Sequence, residues 1–172
     1  MFLSKEEISK IGFKSVGENV LLSDKASIYN PGNISIGSNS RIDDFCILSA
    51  GVGGIEIGSH VHVSCYASLI GAGKITLKNY SCVSVRCSVF SSTDDFSSIC
   101  FTNPTVDISQ RNVFTKDVEI GVNAVIGAGS VVLPGVIVGE GSSVGAMSLL
   151  KVSIPKFTIW AGIPAKFIKP RI

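Results

Sequence analysis

The sequence predicts an all-β fold, a parallel β-helix built from hexapeptide repeats. Three observations carry this reading. From Ile120 to Pro155 every sixth residue is a branched aliphatic: Ile120, Ile126, Val132, Val138, Val144 and Leu150. The residue after the first five openers is Gly121, Gly127, Leu133, Gly139 and Gly145. Four places after each opener stand Ala124, Ser130, Val136, Ser142 and Ser148, almost all small. A period of six is neither the 3.6 of a helix nor the 2 of a long strand. It marks short strands joined by tight corners, three hexads to a coil, with the openers stacked as the core. The glycines and small residues are expected at corners, where a bulky side chain would clash or a positive φ is wanted.

Length and composition agree with one domain over residues 1–172. Hydrophobic residues make up 45% of the chain, enough for a core that runs its whole length. Charged residues are only 16%, which suits outer faces partly covered by other subunits. A formal net charge of +2 points to neither nucleic acid nor a membrane surface. The cysteines, Cys46, Cys65, Cys82, Cys87 and Cys100, are odd in number and lack a CxxC spacing. Cys46 and Cys87 fall on the small internal hexad position, so buried free thiols are expected, as in a reducing compartment. The start turns polar at once and no apolar run approaches a membrane span, so a cytoplasmic protein is expected.

In chain order, Ser4-Lys-Glu-Glu7 is a capping box. It predicts a short helix over about residues 5–11, ending near Gly12 and covering the open end of the solenoid within residues 1–15. Coils one to four span 16–89, opened by Val16, Leu22 and Ile28; Ile36, Ile42 and Leu48; Ile57, Val63 and Leu69; and Leu77, Val83 and Val89. Turns at Asn30-Pro-Gly32, Gly51–Gly54 and Gly71–Gly73 reset the phase between them. From 90 to 117 no hexad can be followed. Phe96, Phe101 and Phe114 in that excursion predict an ordered loop packed on something. Coils five and six occupy 118–155, and a tail, 156–172, leaves the repeat. After Glu140 the tail end is wholly basic: Lys151, Lys156, Lys166, Lys169 and Arg171, a cluster suited to a phosphate-rich ligand.

The hexads together with Ala161-Gly-Ile-Pro-Ala-Lys166 resemble the left-handed β-helix, hexapeptide-repeat acyltransferases, in particular the maltose, galactoside and polysaccharide O-acetyltransferase branch. The left hand is implied by the resemblance. So is a homotrimer with acetyl-CoA as co-substrate in a cleft between two prisms. Carried over, Ala128 and Ala146 would offer main-chain groups to the pantetheine. Ala161, Pro164 and Lys166 would line the adenine and 3′-phosphate end, with Lys151 and Arg171 as further phosphate partners. Met147, where a small residue usually follows, would narrow or reshape that channel.

The branch's usual catalytic His is missing; Asp94, in Ser-Ser-Thr-Asp-Asp95, takes its place. Two mechanisms follow. In one, His62 is the base for a sugar hydroxyl, oriented by Asp94 or Asp95. In the other, the acceptor is an amino sugar on a nucleotide carrier, and Asp94, Asp95 or Asp43 binds the ammonium and takes its proton. Asp43, Asp44 and His60 are candidate acceptor-binding residues. The expected activity is acetyl transfer to a sugar or nucleotide-linked amino sugar in bacterial surface polysaccharide assembly (O-antigen or capsule). The alternatives are a non-catalytic trimeric scaffold or an acyltransferase with a non-sugar acceptor. No metal is expected: the metal enzymes of this fold use three histidines, and the chain has two.

Overall fold

The computed structural model describes all 172 residues. The chain winds as a left-handed parallel β-helix of about seven turns, with one α-helix. Three flat faces result. The first stacks Ser15–Val16, Ile34–Ile36, Ile55–Ile57, Ile75–Leu77, Val118–Ile120 and Ile137–Val138. The second stacks Leu21–Leu22, Arg41–Ile42, His62–Val63, Cys82–Val83, Val125–Ile126 and Ser143–Val144, then the tail. The third runs from Ser27–Tyr29 through Ile47–Ala50, Ser68–Gly71, Ser88–Phe90 and Val131–Val132 to Leu149–Leu150.

The register joins the expected openers. Leu22, Ile42, Val63, Val83, Ile126 and Val144 lie directly over one another on the second face. Openers from the second coil onward are buried, whereas Val16 and Ile28 of the first coil remain partly exposed. Such a column puts apolar area out of water at every rung, worth about 25 cal/mol per Å². Cys46 and Cys87 lie inside, and their thiols donate to the Ser64 and Gly127 carbonyls at 3.0 and 3.1 Å. Burial pushes the Cys46 thiol up to about 11, so it stays protonated and inert at neutral pH.

The corners divide the glycine expectation in two. Positive φ falls three places after the opener, at Asn19, Asn39, His60, Tyr80 and Asn123 on one corner and at Phe45, Tyr66, Arg86 and Met147 on the next. The glycines that directly follow openers are needed for close approach instead. A Cβ on Gly127 would stand 2.5 Å from the Ala146 amide nitrogen in the coil above.

Helix α1, Lys5–Ile11, has the predicted capping box and ends on left-handed Gly12. Ile8 is its buried residue and joins the core, so the helix closes the N-terminal end. The excursion is ordered by a small antiparallel hairpin, Ser92–Asp94 with Val113–Thr115. Its aromatics do not pack inward: Phe96 is 89% exposed and Phe101 64%. The tail also departs from expectation. Ile154 bridges Val138, and Thr158–Gly162 pairs in parallel with Ser143–Val144, so a partial seventh coil continues the stack. A two-residue phase slip hid it. The chain then turns back, and Ala165–Pro170 caps the second face antiparallel to Thr158–Gly162.

Candidate active site

The corner between the second and third faces gathers five of the candidate residues, His62, Asp43, Asp44, Ala128 and Ala146. The amides of Val85, Ala128 and Ala146, each two residues past a second-face opener, donate to no group within the chain. They form a column of outward donors on coils four, five and six. This fits an extended pantetheine arm, whose amides need such partners. Met147 follows with φ 56°, and its thioether lies over Gly129. Met147 thus fills the space over Gly129 from one rung above.

On the same corner, two coils lower, His62 Nε2 lies 2.8 Å from Asp43 Oδ2, and Arg41 Nε donates to Asp43 Oδ1 at 2.6 Å. The Asp43 side chain is only 15% exposed. Burial alone would raise its carboxyl, but the hydrogen bonds from His62 and Arg41 and their charges outweigh that and hold it below the usual range. The carboxylate that orients His62 is thus Asp43, and neither Asp94 nor Asp95 bonds to the imidazole within the chain. Asp44 points elsewhere, accepting from Ser23 and, at 3.2 Å, from Lys25. His60 occupies its left-handed corner and stacks on Tyr80, centroids 4.9 Å apart.

Asp94 and Asp95 separate in role. Asp95 accepts from the Ser97 amide at 2.7 Å and from Asn112, closing a local turn. Asp94 ends the first hairpin strand and faces an apolar groove of about 1030 Å³ over the third face, walled by Ile70, Phe90 and Leu133. Lys151 lines this groove too. That separates it from Ala161, Pro164 and Lys166 of the terminal hairpin. Arg171 is engaged within the chain: its guanidinium donates to the carbonyls of Asn123, Gly141 and Ser142 at 3.1–3.2 Å and ties the tail to two coils.

The terminal hairpin carries two further cations, Lys166 and Lys169. Lys169 pairs with Ile159 and Lys166 with Ala161, while Phe167 pairs with Trp160, which leaves Ile168 as a bulge. The extra residue restores the alternation, so Lys166 and Lys169 share one side of the hairpin. Trp160 and Phe167 share the other, ring centroids 6.1 Å apart, with Trp160 against the core.

Comparison with known proteins decides the family. Residues 117–151 match the bacterial transferase hexapeptide (six repeats) model. Along 170 residues the chain is 48% identical to the Escherichia coli dTDP-4-amino-4,6-dideoxy-D-glucose acyltransferase, covering 99% of this chain and 88% of that protein. The chain belongs to the hexapeptide-repeat acyltransferases. A K12 protein described as a lipopolysaccharide-biosynthesis O-acetyltransferase, WbbJ, is 31% identical over 83% of this chain and 74% of its own length. Among solved structures, AntD, an N-acyltransferase from Bacillus cereus bound to dTDP and 3-hydroxybutyryl-CoA, superposes with a TM-score of 0.95. It is 46% identical, covering 99% of this chain and 90% of AntD. AntD has also been solved as D94N and S84A variants bound to coenzyme A. Galactoside acetyltransferase with coenzyme A, 20% identical at a TM-score of 0.64 over 98% of this chain and 70% of its own, shares the fold.

In this hexapeptide-repeat acyltransferase the Asp94 carboxylate stands beside the groove, and AntD, altered there as D94N, carries an aspartate under the same number. Sequence reasoning did not single out Arg41 or Arg86, and it named Lys169 only within the basic cluster. The two arginines sit at fixed hexad phases, one before and three after an opener, and that phase was a usable signal. Nothing in the sequence announced the bulge that turns Lys169.

Proposed function

We propose that this enzyme transfers the acetyl group of acetyl-CoA to the amine of a dTDP-linked 4-amino-4,6-dideoxy sugar, for bacterial surface polysaccharide. The carrying observation is full-length likeness to an acyltransferase named for that sugar and to an N-acyltransferase that holds dTDP and an acyl-CoA. The absence of a histidine at the usual position fits an amine. A neutral amine is already a nucleophile and needs only a group to accept its proton. Asp94 is that group in this reading: an aspartate beside an apolar groove, with no hydrogen-bond partner in the chain. This chain carries Asp94 and Ser84, the residue types and numbers altered in AntD.

The amine nitrogen attacks the thioester carbonyl and forms the new C–N bond. The carbonyl oxygen takes the charge and is stabilised by an outward amide such as that of Val85. Collapse breaks the C–S bond, and the proton from nitrogen passes by way of Asp94 to the departing thiolate. Lys166 and Lys169 hold the 3′-phosphate of the donor from one side of the hairpin. The site is completed between neighbours of a homotrimer, in which Asp94 of one copy meets the Ser84 corner of the next. All substrates are cytoplasmic in this scheme, and residues 1–172 act as one domain.

A second reading keeps His62, oriented by Asp43, as base for a hydroxyl acceptor. Turnover of dTDP-4-amino-4,6-dideoxyglucose, followed by free-thiol release, separates the two. Asp94→Asn is expected to lower kcat by about a hundredfold or more, whereas His62→Ala lowers it much less. The same preparations should sediment as trimers. Equal rates for wild type and Asp94→Asn would remove Asp94 from the mechanism, and a monomeric active enzyme would remove the shared site.

A further inference from the structure

The positions three residues past each second-face opener form a column along the same corner: Lys25, Phe45, Tyr66, Arg86, Gly129 and Met147. From Phe45 onward all have φ between 56° and 71°. Asn accepts this backbone readily and fills three of the five non-glycine places on the neighbouring corner, at Asn19, Asn39 and Asn123, with His60 and Tyr80 in the other two. Here no Asn occurs, and aromatic and cationic side chains take most places despite the backbone cost.

They make an ordered stack. The Phe45 and Tyr66 rings lie 5.0 Å apart at 22°, with Lys25 Nζ 5.5 Å from the first and Arg86 Cζ 5.8 Å from the second. The rings stay about half exposed, 46% and 51%. Lys25 is neutralised by Asp44 at 3.2 Å. Arg86 makes no ion pair, so it is the free cation of the column. One rung above it stands Gly129 with no side chain, flanked by the unpaired Ala128 amide and roofed by Met147.

This order has a direction. On the reading above, the donor lies along the corner from the C-terminal end, past the unpaired amides of Ala146 and Ala128, with its thioester near the Gly129 notch. The acceptor must meet it from the other end. A nucleoside diphosphate sugar whose amine sits at the notch places its diphosphate next and its base beyond. Rungs are about 4.8 Å apart, so Phe45 lies about 14 Å below Gly129. We propose that Arg86 clamps the diphosphate of the acceptor and that the exposed edge of the Tyr66–Phe45 stack carries its base. The proposal rests on the nucleotide-sugar reading above and assigns the part of that substrate which these residues read.

The test varies acceptor and acyl-CoA separately for wild type, Arg86→Ala, Arg86→Lys and Tyr66→Ala, each checked for an unchanged melting curve. Losing a charge-assisted contact should raise the KM for the dTDP-sugar about tenfold or more. The KM for acyl-CoA should stay unchanged, and inhibition by dTDP should weaken in parallel. Arg86→Lys should recover part of the loss, and the free amino sugar without its nucleotide should not distinguish Arg86→Ala from wild type. Unchanged acceptor KM and dTDP inhibition in both alanine variants, with wild type active, would overturn this assignment alone. A wild type that binds no dTDP by calorimetry and does not turn over the dTDP-sugar would overturn the reading beneath it.

Discussion

Asp43 shows how much a single residue depends on its coil. Its position directly after Ile42 turns the carboxylate back beneath His62 of the coil above, and Arg41 closes the other side. The carboxyl is held below its ordinary range in the folded chain, so its ionised form stabilises the fold. That contribution is present above the unfolded carboxylate value and is lost as pH falls through the lower, folded one. Melting temperatures of wild type and Asp43→Asn should therefore differ near neutrality and converge as pH falls below about 4. A gap that persists unchanged in acid would mean the residue acts by shape alone. The pair was half legible in the sequence. Hexad phase placed both residues outward on one corner, but it did not show that Asp43, and not Asp94, is the partner. Asp94 lies beyond the third face, on a hairpin with no period to count.

At the scale of elements, regular repetition made most of the fold readable, and each failure occurred where repetition stopped. The openers were in register from Val16 to Leu150 because one rung's side chain must stack on the next. The seventh partial coil was hidden because Ile154 and Trp160 keep the six-residue step in a shifted phase. The excursion's aromatics suggested packing, yet Phe96 and Phe101 are exposed in the chain. The one helix was legible to the residue because its capping box is a local rule. Ser4 accepts from the Glu7 amide and the Glu7 carboxylate accepts from the Ser4 amide at 2.7 Å. Ser4→Ala should lower the Tm by about 2–4 °C without changing KM for either substrate. A change in KM with no change in Tm would show that the helix touches the site, contrary to its place at the far end.

For the whole molecule, the β-helix converts distance along the chain into height along an axis. Residues of six different coils thus share one corner, with outward amides toward the C-terminal end and aromatic and cationic groups toward the N-terminal end. A linear donor and a linear acceptor can meet on that corner head to head. The hexads and the AGxPAK motif were enough to predict the coil and the acyltransferase family. The acceptor was not legible, because one substitution, an aspartate in place of a histidine, admits more than one chemistry. Identification of the product tests the account most directly. Incubation with acetyl-CoA and dTDP-4-amino-4,6-dideoxyglucose should yield one acetyl group per nucleotide sugar, with NMR placing it in an amide at the C4 nitrogen. An ester on a ring hydroxyl, or no acetylated nucleotide sugar at all, would contradict it.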